Sequence, residues 1–322
     1  MTPPKETLLN MYRVMVRIRR FEEAVRRLRA GGKIPGHTSL YTGEEAIAAG
    51  VCAHLREDDY LTSTHRPLGH LIAKGCDLKR LMAELCAKAT GCNRGKGGPY
   101  HAADLSVGLI GANGIVGGGP PIAAGAALAA QMRGTDQVSV CFFGEGASNQ
   151  GMIQETLNLA SVWRLPLIFV CENSAVEAPQ MLGHMMNYPQ VSVEEIAVRG
   201  IAYNIPGVTE DGNDVLAVCR AAGGAVRRAR EGDGPTLLEF KTSQYGGPFR
   251  GEDAARLEEE WRKKDPILRF RARLFEMGIL SERDVERIGG EEVASVEEAV
   301  RFAMESPEPP LEEALTDVFS DS

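Results

Sequence analysis

Apolar residues recur at helical spacing through Leu8, Met11, Val14, Met15, Ile18 and Phe21. That period predicts a helix over residues 5–30. Gly31-Gly32 closes it, as glycine commonly does just past a helix C-terminus. A loop follows at Pro35-Gly36-His37-Thr38-Ser39, and Thr42-Gly43-Glu44-Glu45 opens a small-residue-rich helix running toward Leu55. Residues 91–121 break the periodicity with Gly91, Gly95, Gly97, Gly98, Gly108, Gly111, Gly114, Gly117, Gly118 and Gly119. A glycine-rich loop this long inside a compact domain is functional or disordered. It runs directly into the alanine-rich Ile122–Ala130, which predicts a buried helix, so the loop reads as ordered.

Beyond it the pattern alternates. Val138–Phe143 and Leu167–Cys171 are short apolar runs that predict strands, with a helix at Gln150–Trp163 between them. Ile201–Val208 and Thr236–Phe240 predict further strands, flanking a helix at Val215–Arg230. Apolar strands separated by helices imply a mainly parallel sheet covered by helices on both faces, hence an α/β fold. Ligands on such sheets bind at the carboxyl ends of the strands. Residues 254–303 are charged and helical. Glu305–Pro310 reads as loop, with a short terminal helix after it.

Composition changes this picture little. The 322 residues are 43% hydrophobic and 25% charged, ordinary for a globular protein. A net charge of -8 gives no sign of the clustered basic residues that nucleic acid binding favours. No run reaches the roughly 18 apolar residues of a membrane span. The start at Met1-Thr2-Pro3-Pro4 lacks the apolar core of a signal peptide. The seven cysteines form no CxxC pair, and their odd number argues against a disulfide framework. A cytoplasmic location is the expectation.

The strongest chemical signal is Gly144-Glu145-Gly146-Ala147-Ser148-Asn149-Gln150-Gly151, after one strand and before a helix. The next strand ends at Cys171-Glu172-Asn173-Ser174. Two strand ends thus each deliver an oxygen-bearing side chain, Glu145 and Ser174. Magnesium takes about six oxygens at roughly 2.0–2.1 Å, some of them from phosphates. Glycines let backbone approach an anion, and a helix N-terminus favours negative charge. On the octet alone, a plain glycine turn is an equal reading.

The segment Phe142–Asn173 resembles the thiamine diphosphate motif, which runs from a GDG triplet to a downstream NN pair. The stretch GEGASNQGMIQETLNLASVWRLPLIFVCENS is similar to alpha subunits of pyruvate, branched-chain 2-oxo acid and acetoin dehydrogenases, acetoin dehydrogenase most of all. The resemblance extends to LYTGEEA (Leu40–Ala46), STHR (Ser63–Arg66), IAKG (Ile72–Gly75), GKGGPYHAAD (Gly95–Asp104) and GANGIVGGGPPIAAGAALA (Gly111–Ala129). It implies a thiamine-diphosphate-binding fold forming a single domain over 1–322, with an N-terminal helical arm about 1–35 and a C-terminal helical region about 254–322.

The same resemblance implies site residues. Glu145 matches the family's metal-binding aspartate, Ser174 its second asparagine ligand, and Val176 a main-chain carbonyl on the metal. Gly146 and Ala147 match backbone donors to the diphosphate, and Arg66 matches an arginine that grips it. Gly114 and Val116 match main-chain groups that hold the aminopyrimidine. His65 stands where relatives carry Tyr or His. The cofactors implied are thiamine diphosphate and Mg2+. The partners implied are a beta-type subunit completing an alpha2-beta2 active site, a small-molecule donor, and a lipoyl-bearing or carrier protein as acceptor; no nucleic acid or membrane is expected.

Departures from the family pattern cluster at this site. Glu145 and Ser174 replace Asp and Asn. Ser39, Leu68 and Pro248 each stand where relatives have His, and Gln244 replaces an Arg. His37 and His70 lie beside two vacated positions and, with His65, are the candidate catalytic imidazoles. His101 matches a family histidine of structural or catalytic role; Tyr245 and Arg250 are candidates to replace lost loop contacts. Three readings follow. One is cleavage of a 2-oxo acid or acetoin with acyl transfer to a lipoyl group. Another is ketol transfer from a ketose phosphate in specialised biosynthesis. The third is a non-catalytic scaffold subunit.

Overall fold

The computed structural model describes residues 2–174, 191–245 and 254–317. Helix α1 (Lys5–Ala30) opens the chain, followed by α2 (Glu45–Cys52), β1 (Tyr60–Thr62), α3 (Leu68–Lys74) and α4 (Leu78–Leu85). The glycine-rich stretch holds a short α5 (Gly98–His101) and β2 (Leu109–Gly111). Then come α6 (Gly119–Arg133), β3 (Ser139–Gly144), α7 (Gly151–Val162), β4 (Leu167–Asn173), β5 (Gly207–Asp211), α8 (Val215–Arg230) and β6 (Thr236–Lys241). Helices α9 (Ala254–Lys264), α10 (Pro266–Glu276) and α11 (Glu282–Glu305) follow.

These strands form one sheet in the order β2-β1-β3-β4-β6-β5, every neighbouring pair parallel. The α/β expectation holds. Both faces are covered, and side-chain alternation explains how. Val140, Phe142, Ile168, Val170, Leu238 and Phe240 pack into one apolar cluster with α1, α2, α4 and α8. Their alternates Cys141, Phe143, Phe169, Cys171 and Leu237 pack into another with α6 and α7. Successive strand side chains point to opposite faces, so a strand buried on both sides reads as an unbroken apolar run. Each large side chain removed from water contributes about 1.5–3 kcal/mol.

Local chemistry sets the helix ends. Asp77, Asp214 and Asp265 each accept main-chain N–H bonds at the starts of α4, α8 and α10. Ser281 and Asp284 form a reciprocal capping box at α11. Arg13 and Arg17 of α1 pair with the buried Glu292 of α11, joining the two ends of the chain.

Three expectations need correction. Ile201–Val208 is not one strand: Ile196–Tyr203 is a 3-10 helix, and the strand begins at Gly207. Asn204 in the left-handed region separates the two, and a short apolar run fits a buried turn of helix as well as a strand. Helix α6 is buried on one face only; Ala123, Ala127 and Ala130 are inside, while Ile122 and Gly125 face outward. Strands β1 and β2 were not foreseen, since three residues are too few to show a period. No helix among the described residues is long and apolar enough to cross a membrane.

Candidate functional site

The sheet has a switch point. From β1 the chain moves outward to β2, then returns to β3 on the other side of β1. The loops leaving β1 and β3 therefore diverge, and a crevice opens between their tips. Ser63, Thr64, His65 and Arg66 follow β1; Gly144, Glu145, Gly146 and Ala147 follow β3. Together with Glu172 and Ser174 at the tip of β4, they line a cavity of about 290 Å³. Asn113, Ile115 and Val116 from the glycine-rich segment close one side, and Glu44 and Gln244 another.

Sequence positions far apart thus meet as expected. Strands β3 and β4 pair in register to Gly144 and Glu172, so Glu145 and Ser174 emerge side by side. The Ser174 N–H donates to Glu145 Oε2 at 3.4 Å. Gly144 and Gly146 carry no side chain, so backbone borders the cavity directly. Arg66 donates from Nη1 to the Leu40 carbonyl at 2.8 Å, which fixes the guanidinium at the cavity wall. Val116 lines the cavity, and Gly114 lies next to it, exposed, where an added Cβ would stand 3.5 Å from the His101 ring. Val176, Pro248 and Arg250 lie outside the described residues. Among the described residues no three His, Cys, Asp or Glu side chains converge as a metal cage. The cavity's donors are instead a few hard oxygens, a set suited to magnesium completed by phosphates and unsuited to zinc.

The histidines separate. His65 lines the cavity, half-buried. Burial, with the Arg66 charge beside it, lowers its pKa below the ordinary 6.5. His70 is fully buried behind the wall. Its Nε2 lies 3.0 Å from Glu172 Oε1, its Nδ1 2.8 Å from Ser63 Oγ, and its ring stacks on Phe142 at 3.8 Å. A carboxylate accepts, so Nε2 donates to Glu172, and Nδ1 pairs with the Ser63 hydroxyl. His37 is exposed, with Nδ1 3.2 Å from Arg29 Nη2, and does not line the cavity. Leu68 is wholly buried, and Gln244 Nε2 donates to Glu44 Oε2 at 3.2 Å. Tyr245 donates to the Glu258 carboxylate at 3.1 Å.

Several working residues were not singled out from sequence. Tyr41 crosses over α3 and donates its hydroxyl to Glu172. It fits only because position 69 is glycine: a Cβ there would stand 2.0 Å from the Tyr41 ring. Burial, then the Glu172 charge, pushes the Tyr41 phenol well above its ordinary pKa. Glu44 faces the cavity from a buried position. Burial first and the Glu172 carboxylate next hold it well above the usual carboxylate range, with Arg66 opposing. Glu84 of α4 is fully buried and accepts from the main-chain N–H groups of Asn93, Gly95, Gly97 and Gly98. It is the post around which the glycine-rich loop winds. Tyr41, Glu44 and Glu172 lie inside the matched phrases LYTGEEA and VCENS; for Glu84 no local signal existed.

The family described as the dehydrogenase E1 component matches residues 13–312. The alpha subunit of acetoin:2,6-dichlorophenolindophenol oxidoreductase from Bacillus subtilis is 48% identical, over 98% of this chain and 94% of its own length. Its counterpart from Cupriavidus necator is 44% identical over 98% and 95%. The pyruvate dehydrogenase E1 component subunit alpha of Porphyra purpurea is 36% identical over 99% and 94%. Matched along nearly its whole length, the chain belongs to the dehydrogenase E1 component family, as an alpha-type subunit of a thiamine-diphosphate-dependent 2-oxo acid or acetoin dehydrogenase.

Proposed function

We propose that this chain, as a single thiamine-diphosphate-binding unit, holds the cofactor's diphosphate and a magnesium ion at the tips of β1, β3 and β4. It does so within an alpha2-beta2 enzyme that cleaves acetoin or a 2-oxo acid and passes the acyl unit to a lipoyl group on a partner protein. The observation that carries this reading is the meeting of Glu145 and Ser174 at the wall of a cavity that Arg66 also lines.

Thiamine diphosphate, when bound, supplies the thiazolium carbon that stores the electron pair left by the broken bond. The residues of this chain bind and orient. Arg66 meets the paired phosphates with a planar fork of donors. Gly146 and Ala147 offer main-chain groups to the same anion. Glu145 and Ser174, with Val176 as the family resemblance implies, would hold magnesium, which would neutralise the phosphate charge beside them. Gly114 and Val116 border the aminopyrimidine. His65, whose pKa is lowered by burial and the Arg66 charge, moves a proton at the donor's oxygen. His70 acts from behind the wall by holding Glu172, and His37 stands at the outer rim.

The partner reading rests on surface chemistry. Ile115 and Val116 beside the cavity, Ile122 and Met132 on α6, and Val162 and Trp163 on α7 are exposed apolar side chains. Exposed apolar side chains on the adjoining helices α6 and α7 suit a protein interface, and the relatives are named as alpha subunits. All seven cysteines are free thiols, which suits the cytoplasm.

Calorimetry tests the proposal on the chain together with its cognate beta subunit. Thiamine diphosphate should bind saturably and only with Mg2+; no heat under those conditions would leave the scaffold reading. A donor panel of acetoin, pyruvate, branched 2-oxo acids and ketose phosphates then fixes the chemistry. Turnover of ketose phosphates alone would replace acyl transfer with ketol transfer.

A further inference from the structure

The imidazole of His65 makes no hydrogen bond among the described residues, although it lines the cavity. A histidine that handles protons is ordinarily held in one orientation by a partner. Here its orientation comes from packing. The Tyr100 ring meets it edge-on, centroids 6.0 Å apart and planes at 89°. The same ring also meets His37, centroids 6.1 Å apart. Tyr100 is itself tied at both ends. Its hydroxyl lies 2.9 Å from Ser39 Oγ. Its backbone continues from Gly97 and Gly98, which Glu84 fixes through their N–H groups.

We infer that Tyr100 is a positioning residue for His65, and that the Tyr100–Ser39 hydrogen bond is the tie that keeps the imidazole aimed at the donor. The inference rests on the reading of His65 as the proton-handling group. A tyrosine side chain on the single helical turn of α5 would otherwise be free to change rotamer, and the ring at its edge would move with it. Ser39 is short enough to bring its hydroxyl to Tyr100 without reaching the cavity itself. The groups facing His65 are Arg66, Glu172, His37 and Tyr100. Of these, Tyr100 is the one whose ring packs edge-on against the imidazole.

The test uses the assembled enzyme with its beta subunit and acetoin as donor. Tyr100→Phe keeps the ring and removes the tie; Ser39→Ala removes it from the other end. Each should lower kcat about 3- to 10-fold, since misplacement by about 1 Å costs up to about 100-fold. Donor KM and thiamine diphosphate affinity should stay within about twofold. The double variant should be no worse than either single one, because both delete the same interaction. Tyr100→Ala also admits water to His65. It should lower kcat further and move the acid limb of the kcat/KM profile to higher pH, whereas Tyr100→Phe leaves that limb in place. Wild-type kcat in both tie variants, or additive losses in the double variant, would overturn the inference while His65→Asn remains inactive. Full activity in His65→Asn would instead remove the reading of His65 on which the inference stands, and the inference with it.

Discussion

The strand-tip end of the cavity and its outer rim are built by different means. At the tips, Glu145, Gly146, Ala147 and Ser174 are carried by two hydrogen-bonded strands in register. Behind them stands a buried polar network of Tyr41, His70, Glu172 and Ser63. At the rim, His37, Ser39, His65 and Tyr100 come from two loops and the short α5, and meet through ring edges and one hydroxyl pair. On the proposed reading, phosphate and metal need fixed charges at fixed distances, which paired strand ends supply. Donors differ in shape, and the rim is where side chains can change without moving a strand. Ser39 departs from the family pattern at this rim, while Glu145 and Ser174 depart from it at the tips and Leu68 in the buried wall.

The largest test of that contrast is Glu145→Ala. Cofactor affinity in the presence of Mg2+ should fall at least about 100-fold by calorimetry, since even the outer partners of metal ligands are worth about 10- to 100-fold. Glu145→Asp should recover most of it. Unchanged affinity in the alanine variant would show that the tip is not the metal site.

Next is Glu84→Ala, which strands the N–H groups of Asn93, Gly95, Gly97 and Gly98. Each unpaired buried donor costs about 1–3 kcal/mol. Unfolding should shift by about 3 kcal/mol or more, and cofactor affinity should suffer less than turnover, because the loop serves the rim. Loss of cofactor affinity alone, with stability intact, would place Glu84 in service of the tip.

Glu22 sharpens the comparison through pH. It is buried beneath the tip, accepting from the Tyr41 N–H and the Thr42 hydroxyl. Burial pushes its pKa up to about 7 from the ordinary 4.5, those two donors opposing. The folded chain therefore holds a proton that the unfolded chain releases between these values. Stability is fully present below about 4.5 and is lost as pH rises through about 7. Glu22→Gln should remove that slope, gaining about 1–2 kcal/mol at pH 8 over pH 5 relative to wild type in denaturant titrations. Parallel profiles for the two proteins would remove Glu22 from the account.

The smallest effect belongs at the rim. His37→Ala, at an exposed side chain that pairs with Arg29 and the Tyr100 edge, should change kcat/KM about twofold, the scale of about 0.5 kcal/mol. A loss of 100-fold would make the rim as demanding as the tip and erase the contrast.

Much of this was legible in the chain itself. Helices α1 and α8 were readable to the residue, because long amphipathic periods and terminal glycine or aspartate leave a strong local trace. Strands β3, β4 and β6 were readable as apolar runs, and the Glu145–Ser174 pairing followed from two strand ends. The resemblance supplied Arg66, Gly114 and Val116.

What the sequence determined by itself was therefore the strand–turn–helix units and the residues that stand at their tips, since both depend on neighbours a few residues apart. Tertiary structure alone decided the rest. It inserted a three-residue β1 at the switch point, so that His65 and Arg66 open onto the cavity. It sank His70 behind Phe142 and Glu172, left His37 outside, and put Tyr100 against His65 across a gap of 35 positions. Those placements depend on which loops the sheet order brings together. That order is set by packing both faces of the sheet at once, a constraint that no local stretch of residues contains.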